Sequence, residues 1–170
     1  IGSSGGISGI SLTGNIQNTG TRIFSSEANY FYNGSVPQIT GDGLNPIVNN
    51  ITFSNSSGVT LSGSVAVNGL AFVNQGIVDI GNFNLIINPA ASLTGYSSSA
   101  YFKTSGSGYL KRRVNNTPVV FPIGNGLYTP VTLNNTGNAD NFSIRLQNTL
   151  DNPAVNDQIV NKQWVIIEEI

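Results

Sequence analysis

An all-β fold is what this 170-residue sequence predicts: a right-handed parallel β-solenoid (β-helix) over residues 1–100, then a small β-sandwich-like module over 101–170. Three observations lead there. Helix formers are scarce, with three Glu, three Lys and no Met, and Gly, Asn or Ser interrupts nearly every run before two helical turns could form. Apolar residues recur two apart in short segments, which turns one face of each segment inward. A repeat runs through the middle of the chain: residues 51–63, 70–82 and, more loosely, 85–95 share the order apolar, apolar, Asn, small residues, alternating strand.

In order along the chain, residues 1–42 carry a weak version of this code, with Ile7, Ile10, Leu12 and Ile16 among Gly, Ser and Asn. The Gly- and Ser-rich start, 1–9, reads as a first rung rather than a linker. Strands follow at 51–53, 59–61, 65–67, 70–72, 78–80 and 85–87 and around Leu93, joined by short polar connections such as 54–58, 68–69 and 88–89. Asn55 and Asn74 fall 19 residues apart, near one rung of a three-sided coil. These Asn residues have two readings, interior ladders or tolerance of left-handed turn geometry. Between Gly43 and Phe102 the only charged residue is Asp79, which suits a coil whose equivalent positions stack every ~4.8 Å, where a ladder of like charges would repel.

Around Tyr101 the character changes, and a boundary is expected near residue 100. Lys103, Lys111, Arg112 and Arg113 bring charge back and strands lengthen, at 109–114, 119–121, 129–133 and 142–146. The stretch from Val131 to Leu146 reads as a hairpin or Greek-key pair across the loop 134–141, and Trp164 as part of a core strand. In Phe121-Pro122-Ile123-Gly124, a buried Phe, a strand-ending Pro and a positive-φ Gly explain the phrase as fold chemistry.

Composition narrows function. Asn, Gly, Ser and Thr number 24, 20, 19 and 13, while 9% of residues are charged against about 25% in typical domains. The chain is polar without being charged. Net charge of -1 and a pI of 5.1 supply no footprint for nucleic acid. With no Cys or His, thiol chemistry, imidazole bases and Cys/His zinc sites are excluded, and no cofactor is expected. No apolar run approaches the ~18–20 residues of a membrane span, so membrane insertion is not expected. Starting at Ile1, the sequence reads as a processed chain or a piece of a longer one.

A resemblance adds to this. Residues 28–44, ANYFYNGSVPQITGDGL, and 48–82, VNNITFSNSSGVTLSGSVAVNGLAFVNQGIVDIGN, resemble the β-solenoid repeats of large surface and secreted proteins of Bacteroidota. Residues 108–137, GYLKRRVNNTPVVFPIGNGLYTPVTLNNTG, with 140–146 and 160–169, are similar to the module that follows those repeats. The resemblance implies export by the type IX secretion route and an extracellular, cell-surface life as an adhesin-like, stalk or fibre component.

Candidate sites are few. Lys111, Arg112 and Arg113 form the one basic cluster, able to meet an anionic glycan or to keep a sheet edge solvated; alternation sends Arg112 to the opposite face from its neighbours. Tyr30, Tyr32, Tyr96, Tyr101 and Tyr128, if exposed, could stack on sugars. Asp140 with Asn138 and Asn141 could ligate Ca²⁺ or form an ordinary loop. Retaining glycosidases need two carboxylates about 5 Å apart, and Asp79 is the only carboxylate between Gly43 and Phe102. Thr52 and Thr60 belong to no regular Thr ladder of the kind that binds ice.

The expected function is a non-enzymatic structural module of a cell-surface fibre, stalk or adhesin, its partners being copies of itself or neighbouring modules of the parent chain. A carbohydrate-binding adhesin module, with surface glycans as partner, is the alternative, and a carboxylate-dependent glycan-degrading enzyme the remote one. The apolar run Trp164, Val165, Ile166 and Ile167, with Ile170, is the candidate subunit joint, expected to meet the N-terminal rungs around Ile7 to Ile16 of the next copy, head to tail.

Overall fold

The computed structural model describes residues 1–10, 12–17, 20–149 and 162–169. Ile170, assigned above to the terminal strand, lies outside them. Among the described residues the chain forms seventeen strands and no helix, so none is long and apolar enough to cross a membrane.

Three strands make one turn of a coil. The first turn is β1 (Asn29–Tyr32), β2 (Gln38–Ile39) and β3 (Ile47–Val48); the second is β4 (Asn50–Ser54), β5 (Val59–Thr60) and β6 (Val65–Val67). The third is β7 (Leu70–Gln75), β8 (Val78–Asp79) and β9 (Leu85–Ile87), and the fourth β10 (Ser92–Thr94), β11 (Phe102–Lys103) and β12 (Leu110–Val114). After β13 (Val119–Phe121), β14 (Ile123–Gly124) begins a fifth. Corresponding strands pair in parallel, giving a first sheet β1-β4-β7-β10 and a second sheet β2-β5-β8-β11-β14. The third sheet begins β3-β6-β9-β12 and continues antiparallel through β16 (Asp140–Gln147) and β17 (Gln163–Glu169). Last, β15 (Val131–Leu133) pairs antiparallel with β13. The chain is a β-solenoid of about five turns.

Two expectations change here. Position 100 falls inside the fourth turn, whose β11 and β12 pair with β8 and β9 of the third. The charges that suggested a boundary sit on strands that continue the ladder. Val131 to Leu146 is not a hairpin either: β15 joins β13, whereas β16 joins β12 and β17.

Alternation explains the core. Inward residues of successive turns stack in columns: Tyr30, Ile51, Ala71 and Leu93 on the first sheet, and Val59, Val78, Phe102 and Ile123 on the second. All are buried, each large aliphatic contributing roughly 1.5–3 kcal/mol. Aromatic rings bridge the sheets: Tyr32 stacks on Phe53 at 5.8 Å, and Phe53 meets Phe102 edge-on at 6.4 Å.

The N-terminal segment does act as a rung. Ile39 N–H donates to the Ser4 carbonyl (2.9 Å) and Ile7 N–H to that of Thr40 (3.0 Å), with Ile7 in the core. Gln38 heads the second sheet's inner column, and its buried amide is fully satisfied. It donates to the carbonyls of Ile1 and Ser3 at 2.8 and 2.9 Å and accepts from Gly34 N–H and Asn55 Nδ2.

The Asn residues fit neither reading as a class. No described non-glycine residue has positive φ, and the Asn55–Asn74 match fails because β7 bulges, pairing Gln75 with Ser54 and leaving Asn74 exposed. Asn55 is interior, donating to the Val36 carbonyl at 2.8 Å. Others bridge turns at the corners: Asn50 Nδ2 donates to Asn29 Oδ1 (2.7 Å), and Asn88 Nδ2 to Asn68 Oδ1 (2.5 Å), 20 residues back.

Candidate functional site: the third sheet and its last strand

The basic cluster is divided by the strand that carries it. Alternation in β12 turns Leu110, Arg112 and Val114 inward and Lys111 and Arg113 outward. Arg112 occupies an inner column, after Val48, Val67 and Ile87. Its guanidinium donates to the Val120 carbonyl and lies 5.9 Å from the centre of the Phe121 ring. Burial draws its pKa below the ordinary value, against the opposing influence of Tyr96. Arg112 thus joins β12 to β13.

On the outer face, Lys111 pairs with Glu169 across β16, and the buried Ser143 hydroxyl donates to the same carboxylate oxygen. Lys111, then Ser143, hold Glu169 below the usual carboxylate range. A carboxylate so held is a poor base. The trio ties β12, β16 and β17 together rather than activating the serine. Arg113 stays exposed. Sequence reasoning missed Arg145, whose guanidinium lies 5.4 Å from the centre of the Tyr109 ring. Its outward position follows from alternation with buried Ile144 and Leu146, a signal present in the sequence.

The tyrosines are mostly core. Tyr30, Tyr32 and Tyr101 are buried, because alternation in β1 turns both Tyr30 and Tyr32 inward and leaves Phe31 outside. Burial pushes the Tyr32 hydroxyl up in pKa, and it donates to the Thr40 carbonyl at 2.9 Å. Tyr96 and Tyr128 are half-buried, the latter 5.5 Å from Tyr101. The five therefore form no exposed stacking platform.

Asp79 pairs with Lys103 of the next turn at 3.0 Å. Burial alone would raise its pKa, but Ser105, Lys103 and Gly81 together hold it low. In the loop before β16, Asn135 Nδ2 donates to the Asn138 carbonyl at 2.6 Å, and Gly137 N–H to Asn135 Oδ1 at 2.9 Å. Of the candidate Ca²⁺ ligands, Asp140 accepts from Asn135 Nδ2 through Oδ2 at 3.5 Å. No group of three or more His, Cys, Asp or Glu suited to a metal occurs among the described residues.

In Phe121-Pro122-Ile123-Gly124, Phe121 is buried and Pro122 separates β13 from β14. Gly124 does not have the expected positive φ, which occurs at Gly126 instead. Gly124 is required by closeness: a Cβ there would lie 2.2 Å from the Leu127 carbonyl oxygen.

The expected joint residues lie on β17, the last strand of the third sheet. Trp164, Ile166 and Ile167 are exposed and Val165 half-buried, while Trp164 Nε1 donates to the Thr129 carbonyl at 3.2 Å. Their expected counterparts at the other end divide: Ile7 is core, whereas Ile10, Leu12 and Ile16 are exposed. No protein family, curated protein or solved structure matches the chain.

Proposed function

We propose that this chain is a non-catalytic structural module of an extracellular fibre, stalk or adhesin at a bacterial cell surface. One observation carries the reading: the groups that could perform chemistry are engaged with one another. Lys111 holds Glu169, Lys103 holds Asp79, Arg112 lies on Phe121, and three tyrosines sit inside the coil. Outside, Asn and Ser side chains bridge one turn to the next, as Asn50 to Asn29, Ser57 to Ser35 and Asn88 to Asn68, which suits a rigid spacer. The resemblance of residues 28–82 to repeats of secreted Bacteroidota proteins supports the extracellular placement. In this reading the strands after Gly124 close one end of the coil as a terminal module, and the partners are copies of the chain or its neighbours in a parent chain.

The test is a glycan array together with a panel of polysaccharide substrates, with and without Ca²⁺. A structural module leaves both blank. Binding abolished by Arg113→Ala or Tyr128→Ala would replace this reading with a carbohydrate-binding one, and turnover abolished by Asp79→Asn with an enzymatic one.

A further inference from the structure

The third sheet has six strands, whereas the first has four and the second five. β16 is tied to the coil through Thr104 and Leu146, and β17 lies one strand further along the sheet. The inner column Val65, Leu85, Leu110 and Ile144 is at most 1% exposed, yet Ile166, in register as its fifth member, is 44% exposed. Trp164 beside it is 43% exposed, and Ile167 on the opposite face equally so. No described strand pairs with the second edge of β17. An apolar strand whose second edge meets no described strand is a template for another strand.

Charge placement selects the partner. Both acids of β17, Glu168 and Glu169, lie at its C-terminal end. A second β17 running parallel and in register would set like charges side by side. Running antiparallel and centred on Ile166, it sets Glu168 opposite Trp164, Glu169 opposite Gln163 and Val165 opposite Ile167, with no like charges opposed. The N-terminal rung is a poorer partner, since Ile7 is core and its N–H is bonded to Thr40.

We propose that β17 pairs antiparallel with β17 of a second copy about a two-fold axis beside Ile166, joining two third sheets into one continuous sheet. A two-fold contact is self-complementary and closed, which makes this an end-to-end pairing of two coils rather than a head-to-tail repeat. It deepens the structural reading by naming the partner and the joint.

The experiment is light scattering on the 170-residue chain at about 100 μM, a concentration suited to the weak affinity of a small interface. The wild type is expected at twice the chain mass. Ile166→Lys and Ile166→Glu, each placing like charges across the axis, are expected at half that mass, with thermal unfolding confirming the fold. Mixed one to one, they are expected to recover the doubled mass, because this pairing sets residue 166 against itself and a Lys then faces a Glu. A monomeric wild type, single variants that keep the doubled mass, or a mixture that stays monomeric would each overturn the joint. Filaments surviving both substitutions would overturn the joint and leave the structural role standing, whereas glycan binding by an intact dimer would do the reverse.

Discussion

Arg112 shows how one residue can belong to a motif in sequence and to the core in space. Its neighbours Lys111 and Arg113 face outward, so the three never form one patch. Arg112→Ala removes the ring contact with Phe121 and the donor to Val120, and is expected to cost about 1–3 kcal/mol in urea unfolding. Arg113→Ala, on the exposed face, is expected to stay within ~0.5 kcal/mol of wild type. Equal losses for the two would mean that Arg112 is no part of the core. Gly76 makes the complementary case for the backbone. With φ at 73° and a would-be Cβ 1.9 Å from the Asn55 carbonyl oxygen, it permits the turn after β7 to pass over the one before. Gly76→Ala is expected to destabilise by more than the ~1–2 kcal/mol of left-handed strain alone, read as a lowered Tm.

At the scale of elements, adjacent turns are held by polar corners and by outward ion pairs. The Asn68–Asn88 contact tolerates one charge, since Asn88 Nδ2 can donate to a carboxylate at position 68. Two charges would stand one rung apart. Asn68→Asp is expected to change stability by less than ~0.5 kcal/mol, while adding Asn88→Asp costs about 1 kcal/mol beyond the single effects at low salt. The ion pairs predict a pH dependence. Asp79 and Glu169 both have folded pKa values below their ordinary ones, so the unfolded chain binds more protons in acid. Their contribution is complete above the unfolded carboxylate values of about 3.9 and 4.3 and is lost as pH falls through the lowered folded values. Tm measured from pH 7 downward is expected to drop in that acid window, and more shallowly in the Asp79→Asn, Glu169→Gln double variant. An unchanged acid limb in that variant would assign the pH dependence to other groups.

For the whole molecule, the consequence of the ladder crossing residue 100 is cooperative unfolding. Phe102 stands in a column between Val78 and Ile123 and touches the Phe53 ring of the second turn. Thr104 extends the link into the last strands: its hydroxyl donates to the Leu146 carbonyl at 2.8 Å and accepts from the Leu146 N–H at 2.9 Å. Trp164 fluorescence, which reports the C-terminal strands, is therefore expected to follow the same urea transition as the far-UV signal of all the sheets. Phe102→Ala is expected to lower both midpoints together, by about 3–5 kcal/mol. Two separated transitions would restore an independent module after residue 100.

The all-β class and the solenoid were readable from local pattern. Val59 and Leu61 flank Thr60, Val65 and Val67 flank the small Ala66, and Leu85 and Ile87 fall two apart, and this period of two sorts each strand into two faces without knowledge of partners. The same rule, applied to Tyr30 and Tyr32 in β1 and to Arg145 in β16, would have placed these residues too. The sequence alone also narrowed the chemistry, since a chain without Cys or His lacks thiol and imidazole groups whatever its shape. What it could not determine was register. The bulge in β7 displaces Asn74 from the position matching Asn55, and nothing local announces it. Nor could it show that Lys103 returns to Asp79, or that Glu169 reaches Lys111 across β16. Such pairings depend on which strands lie side by side. The apparent boundary near residue 100 arose for the same reason: a rise in charge says nothing of strand pairing, whereas continuity of the coil is decided by backbone ladders and inner columns. Tertiary structure alone made that decision, because the ladder from β8 through β11 to β14 and the column Val78, Phe102 and Ile123 run past residue 100 without a break.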